Sequence, residues 1–273
     1  KLCCPTSNLH KPDILGAIYR IRRTGAHAAA DPRGLKIDWA KATSPQLTEL
    51  LADERPAVQQ RAKQTLAQHN GDVVTELSHV LQSSNAVDHR RQAVWTLSWI
   101  DSSAAREAVR SALSDDDETV RQAALHVISV WKDKDAEQDV IAQLQSDSMH
   151  NRRAAAEVLG RVGSSAAIRP LLEAARSDID RALEHSLTYA LIEIGNAESL
   201  QEEQHGSERS AMTALDQIGD GHLSAAELAE IVKRVNISGA AVGAGTLDER
   251  AWWIIEQHPE WAGEFVPYFR ETL

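Results

Sequence analysis

The sequence predicts an all-α fold in which pairs of helices stack into an α-solenoid. In residues 116–131 the apolar residues Val120, Ala124 and Ile128 recur at helical spacing and so lie on one face. The alanine of this stretch recurs at a constant interval of 31 residues: Ala62, Ala93, Ala124 and Ala155. A leucine or isoleucine follows each alanine four residues later. The chain is therefore predicted to be a repeat protein whose stacked helices bury one continuous core.

Composition and charge argue against several classes of function. The net charge is −11, but residues 1–43 carry 8 basic against 3 acidic side chains, so the remainder is strongly acidic. An acidic array is a poor ligand for phosphate backbones, and no run of about 20 apolar residues occurs. Cys3 and Cys4 are adjacent and lack zinc-site spacing. We expect no nucleic-acid partner, no membrane insertion by this segment and no cofactor.

Residues 1–43 differ from the rest of the chain. Prolines and glycines interrupt any helix there, and residues 14–23 alternate as a short β-strand does. One strand cannot bury a face alone. The leader is therefore predicted to be the end of a β domain that lies upstream.

From Ser44 onward the sequence predicts seven helix pairs and a closing helix. Five pairs are clear within residues 44–195, two are degenerate within 196–258, and residues 259–273 form the closing helix. Each helix is too short to be stable alone, so stacking must supply the burial. The predicted pairs are 44–52 with 56–70, 72–82 with 87–100, 103–113 with 117–131, 136–145 with 149–162, 165–176 with 179–194, 197–204 with 208–218, and 224–235 with 247–258.

The pattern over residues 44–258 resembles HEAT repeats of the short class, about 30 residues long, that also occurs in phycobilisome-lyase-like proteins. The resemblance implies a right-handed solenoid in which acidic turn residues and arginines of the second helices support neighbouring repeats. The turn positions that match are Glu54, Asn85, Asp116, Asp147 and Asp178. The arginine positions that match are Arg90, Arg121 and Arg152, with Gln59 and Glu184 departing from the pattern at the two ends.

A wider resemblance rests on three short stretches. KPDILGAIYRIRR at residues 11–23, DPRGLKIDW at 31–39 and AWWIIEQHPEW at 251–261 look like parts of large bacterial membrane-bound dehydrogenases. Those proteins place a sugar-dehydrogenase-like propeller first, HEAT repeats next and a c-type haem domain last. The resemblance implies that the leader strand ends the propeller and that the protein is extracytoplasmic or periplasmic. No haem-attachment motif occurs in this sequence, so no electron-transfer activity follows from it.

One face of the second helices is the predicted partner-binding surface. At 100° per residue, positions two residues before and after each anchor alanine point away from the buried stripe. The HEAT resemblance implies that these positions line the concave side. Aromatic and arginine side chains there are typical of interfaces. The alternatives are a solvated face whose tryptophans pack on a neighbouring repeat, and catalysis, for which no triad or ligand set is apparent. The predicted residues are Arg91, Trp95, Trp99, Gln122, His126, Arg153, Glu157, His185 and Tyr189.

Residues 216–227 (DQIGDGHLSAAE) imitate a calcium-binding EF-hand loop. Asp216, Asp220 and Glu227 match its first, fifth and twelfth positions, but Ile218 occupies the third, where an oxygen ligand is needed. The alternative, which we favour, is a turn between helices in which Ser224 caps the next helix and Glu227 completes a capping box.

The sequence thus predicts a non-catalytic scaffold that makes protein–protein or inter-domain contacts through its concave face. The alternative is an accessory segment of a multi-domain, sugar-dehydrogenase-like oxidoreductase that contains haem. No catalytic residue is assigned under either hypothesis.

Overall fold

A computed structural model describes residue 25 and residues 29–69, 72–176, 179–203, 208–219, 223–238 and 247–272. The predicted strand at residues 14–23 lies outside the described residues, as do residues 239–246 between the two helices of the predicted seventh pair.

The described residues form fifteen α-helices and no β-strand. The helices are α1 Ser44–Glu49, α2 Pro56–Ala67, α3 Val73–Ser83, α4 Val87–Leu97, α5 Ser103–Ser111, α6 Glu118–Trp131, α7 Glu137–Gln143, α8 Met149–Val162, α9 Ile168–Ala175, α10 Arg181–Ile194, α11 Ala197–Glu203, α12 Glu208–Gln217, α13 Ala225–Ser238, α14 Leu247–Gln257 and α15 Ala262–Thr272.

Consecutive helices pair as the sequence predicts. The odd-numbered helices α1–α13 are the first helices of seven repeats, the even-numbered helices α2–α14 are the second, and α15 closes the array. Local capping sets the helix starts. Asp117 accepts the backbone N–H of Thr119 at 2.8 Å, and Asp180 accepts that of Leu183 at 2.7 Å. Gly195 ends α10 with a φ of +67°, a left-handed conformation that glycine adopts without strain.

The repeated apolar positions form the core. The four anchor alanines are fully buried, as are the residues four positions later, among them Leu97 and Ile128. The fifth repeat is shifted by one residue, and Leu187 and Leu191 take these two positions there. Successive second helices contact each other from α2 to α12, and α12 contacts α14, so burial continues from repeat to repeat. The predicted α-solenoid is confirmed.

Part of the predicted leader packs on the first repeat. Both carboxylate oxygens of Asp31 accept backbone N–H groups, from Leu35 at 2.8 Å and Lys36 at 2.9 Å, which shapes a tight turn. Arg55 Nη1 donates to the carbonyl oxygen of Asp31 at 3.1 Å. The indole of Trp39 lies 4.8 Å from the guanidinium carbon of Arg61 on α2. Residues 31–39 therefore contact the first repeat directly.

The predicted acidic turn column was placed one residue too late. The side chains that organise the turns are Asp53, Ser84, Asp115 and Ser146, again 31 residues apart. Each accepts a backbone N–H two residues later, at 2.8, 3.3, 2.9 and 3.3 Å respectively. A side-chain oxygen makes this turn only from the position two residues before the donor. Glu54, Asn85, Asp116 and Asp147 occupy the next position and are exposed, and Asp178 lies outside the described residues.

The arginine column joins repeats, but not through Asp116. Nε and Nη2 of Arg90 donate to the two carboxylate oxygens of Asp115 at 2.7 and 2.8 Å. Burial is the largest single influence and acts to raise the pKa of Asp115. The hydrogen bonds from Arg90, the backbone N–H of Asp117 and the charge of Arg90 together hold that pKa below its usual value. Arg121 Nη1 instead donates to the carbonyl oxygens of Asp115 and Asp116. The expected ion pair between Asp116 and Arg121 is therefore wrong.

Gln59 and Glu184 stand where the pattern has arginine, and both make contacts equivalent to those of the arginines. Gln59 Nε2 donates to the carbonyl oxygen of Asp53 at 2.7 Å, which is the bond that an arginine makes in the next repeats. Glu184 forms an ion pair with Arg209 at 2.7 Å, with the same sequence separation as Arg90 and Asp115 but with the charges exchanged. The fifth and sixth repeats are thus joined by a reversed version of the same contact.

Candidate protein-binding face

The second helices α4, α6, α8 and α10 lie side by side and turn a common face away from the core. We call it the second-helix face and define it by the nine predicted residues together with Val130. Trp99, Gln122, His126, Glu157, His185 and Tyr189 are exposed, whereas Arg91, Trp95 and Arg153 are half-buried. The structure brings the predicted residues together on one surface, and their role in binding stays a prediction.

Exposed large apolar side chains are concentrated on the second helices. Six occur in the described part of the chain, and four of these belong to the second helix of a repeat or to the turn that follows it: Trp99, Val130, Tyr189 and Trp253. Val130, at 63% exposure, was missed by the sequence analysis. Its position 31 residues after Trp99 could have identified it.

Two aromatic pairs stand on this face. Trp95 of α4 and His126 of α6 meet edge to face, with ring centroids 5.4 Å apart. His185 and Tyr189 stack along α10 with centroids 6.2 Å apart. The first pair connects two repeats, and within it Trp95 is half-buried while His126 stays exposed.

Close helix packing sets the distance between α8 and α10. A Cβ atom on Gly160 would lie 3.1 Å from Cα of Ala190 and 2.5 Å from Oε2 of Glu193. Only glycine fits at this contact without a shift of its neighbours. The glycine thereby brings Tyr189 of α10 close beside the exposed positions of α8.

The arginines of the face differ in their partners. Arg91 donates to Thr119 Oγ1 at 3.1 Å and forms an ion pair with Asp88. Arg161 Nη1 donates to Ser129 Oγ at 2.9 Å. Arg153, in contrast, makes no hydrogen bond or ion pair within the described part of the chain, and its Nε is buried.

In the EF-hand-like stretch, two of the three candidate calcium ligands already make other contacts. Asp216 Oδ1 lies 2.7 Å from His258 Nε2. Glu227 accepts both the backbone N–H and the hydroxyl of Ser224, at 2.9 and 2.7 Å, and its own N–H donates to Ser224 Oγ. The predicted capping box is confirmed. Asp220 lies outside the described residues, so the calcium hypothesis stays untested.

Two negative findings apply to the described residues. They contain no group of three or more histidine, cysteine, aspartate or glutamate side chains placed to hold a metal ion. None of the helices traced there combines the length and apolar character that a membrane crossing requires.

The repeat geometry agrees with a family assignment. The profile of HEAT repeats matches residues 44–129 and 107–192, which together cover more than half of the chain. The chain belongs to the HEAT-repeat family.

Solved structures offer weaker likenesses. Crystal structures of three engineered proteins from the Northeast Structural Genomics Consortium are similar, at 17%, 18% and 16% identity. The matches cover 65%, 64% and 78% of this chain and 97%, 98% and 67% of theirs, with TM-scores of 0.41, 0.43 and 0.43. TM-scores this low do not establish a shared overall shape. No curated protein matches the chain.

Proposed function

We propose that this protein is a non-catalytic scaffold that binds another protein, or a flanking domain, through the second-helix face. The observation that carries the proposal is the concentration of exposed apolar side chains on the second helices. Apolar side chains scattered singly over a surface need no explanation, whereas a contiguous apolar patch is typical of interaction sites.

The chemistry of the face supports protein rather than another class of partner. Tryptophan, tyrosine and arginine are the residues that most often supply binding energy at protein interfaces. Trp99 and Tyr189 are each about half exposed, at 52% and 50%, so a partner could bury substantial further area on both. The net charge of −11 opposes a nucleic-acid partner.

The test compares proteins captured from an extract by the wild type and by a Trp95→Ala/Trp99→Ala double variant. The same capture with Leu35→Ala is the matched control, since Leu35 is 73% exposed but lies outside the second-helix face. For an identified partner we expect affinity to fall about 30-fold or more in the double variant, as for loss of a binding hot spot. The control should bind normally. Equal binding by the double variant would contradict the proposal.

The resemblance to membrane-bound dehydrogenases supplies the other candidate occupant, a flanking domain of the same polypeptide. A photo-crosslinking amino acid placed at Tyr189, in a protein expressed with the flanking domains that this resemblance implies, separates the two cases. Crosslinks within one polypeptide would support an accessory role in a multi-domain oxidoreductase. Crosslinks only to other proteins would support the scaffold.

A further inference from the structure

Arg153 is half-buried at the centre of the second-helix face, yet it has no hydrogen-bond or ion-pair partner among the described residues. An unsatisfied buried donor costs about 1–3 kcal/mol, and more when the group is charged. Arg90 and Arg161 avoid this cost, because Arg90 binds Asp115 and Arg161 binds Ser129. Glu157 lies one helical turn from Arg153 but forms no ion pair with it in the described structure. The guanidinium of Arg153 can therefore pair with an anion, and the described residues do not supply one.

An aromatic pair lies on either side of Arg153 along the array. Along the array, the equivalent helix positions are Gln122 on α6 and His185 on α10. The Trp95–His126 pair lies beyond the first, and the His185–Tyr189 pair includes the second. With helix axes about 8–10 Å apart, the distance from α4 to α10 is about 25–30 Å. An extended peptide crosses it with about eight residues at about 3.3 Å each.

We propose that the second-helix face binds an extended peptide segment whose aspartate or glutamate carboxylate pairs with Arg153. Apolar side chains of the same segment contact the two aromatic pairs. The proposal rests on the proposed function and adds the chemistry of the partner. A planar carboxylate accepts two parallel hydrogen bonds from a guanidinium.

A carboxylate fits this site better than a phosphate group. Arg153 is a single positive charge, and the unpaired Glu157 one turn away would repel a dianion more strongly than a monoanion. The acidic character of the whole array acts in the same direction.

The probe for the experiment is a phage-displayed library of random twelve-residue peptides, selected on the immobilised full chain. Wild-type selections should enrich peptides with one Asp or Glu flanked by apolar or aromatic residues. Selections on Arg153→Gln should retain the apolar residues and lose the acid. A synthetic acidic peptide from the wild-type selection should bind Arg153→Gln about ten- to a hundredfold more weakly, as expected for the loss of charge-assisted hydrogen bonds.

Arg169→Gln is the matched control. It removes the same charge from the exposed pair of Arg169 with Glu203, on a first helix, and should leave peptide binding unchanged. Enriched peptides without an acid, or equal losses in both variants, would overturn the carboxylate assignment while the scaffold proposal stands. Peptides whose binding survives Trp95→Ala/Tyr189→Ala would show that the face is not the site, and both proposals would fail. A library that yields no binder at all would likewise overturn the extended-peptide proposal.

Discussion

Asn151 on α8 is fully buried, and neither the oxygen nor the nitrogen of its side-chain amide has a hydrogen-bond partner in the described structure. Val120 occupies the equivalent position one repeat earlier, and Val58 occupies it in the first repeat. Both valines are completely buried. The equivalent His89 satisfies its ring nitrogens on Thr48 and Ser84, at 2.9 and 3.2 Å. Asn151 is therefore a polar residue in an apolar column without the compensation that His89 has.

We expect Asn151→Val to stabilise the protein by about 1–3 kcal/mol, because it removes two unsatisfied buried polar atoms. Urea denaturation followed by circular dichroism measures the change. The reciprocal variant, Val120→Asn, should destabilise the protein by a comparable amount. A destabilising Asn151→Val would mean that the amide has a partner, such as a bound water.

At the scale of the element, the C-terminal helices are joined by one histidine. His258 lies between α14 and α15 and donates to Glu260 and to Asp216 of α12, each at 2.7 Å. Its ring stacks on Trp261 with centroids 3.9 Å apart. The hydrogen bond to Glu260 is the main cause that raises the pKa of His258, burial opposes it, and Asp216 raises it further. The hydrogen bond from His258 in turn lowers the pKa of Glu260.

The directions of these two pKa shifts define the pH range in which His258 and Glu260 stabilise the fold. A raised histidine pKa stabilises the fold fully below the unfolded value of about 6.5 and ceases to do so as pH rises through the folded value. The lowered pKa of Glu260 stabilises the fold above about 4.5 and ceases to do so as pH falls. We therefore expect the destabilisation caused by His258→Gln to be larger at pH 5.5 than at pH 9. An NMR titration of His258 with a midpoint at or below 6.5 would contradict the assignment.

At the scale of the whole molecule, stability depends on contacts between neighbouring repeats. No helix here is long enough to be stable alone, and each repeat buries its apolar face on the next. The ion pairs Arg90–Asp115 and Glu184–Arg209 add specific links at two of the junctions, between the second and third repeats and between the fifth and sixth. An array of this kind can unfold one part at a time.

We expect Arg90→Gln to weaken the junction between the second and third repeats by about 2–4 kcal/mol, because it leaves Asp115 buried without its partner. Hydrogen exchange should then show α1–α4 opening at lower urea concentration than α6–α10. The wild type should already unfold over a broader range than a two-state protein of this size. Arg169→Gln, which breaks a more exposed pair, should change stability by less than about 1 kcal/mol. A single sharp transition with uniform exchange in Arg90→Gln would contradict this account.

The repeat interval and the buried alanines were predictable because helical periodicity depends only on residue order. The same interval relates Trp95 to His126, and Tyr189 follows the one-residue shift of the fifth repeat. That these residues bind a partner stays a prediction. The interval misplaced the turn column by one residue, since Asp115 and Asp116 are chemically alike and only backbone geometry selects the residue that can reach the N–H of Asp117. Periodicity alone did not single out Val130, because an apolar residue indicates a binding surface only when the fold leaves it exposed.

The sequence by itself determined the fold class, the number of helix pairs and the direction in which each helix turns its apolar stripe, because these follow from local periodicity and capping. Only the tertiary structure decided which side chains have partners. It joined Arg90 to Asp115, tied His258 to Asp216 across 42 residues, and left the side chains of Arg153 and Asn151 without hydrogen-bond partners among the described residues. These contacts depend on the distances between side chains of different repeats, and the sequence pattern of a single repeat does not specify those distances.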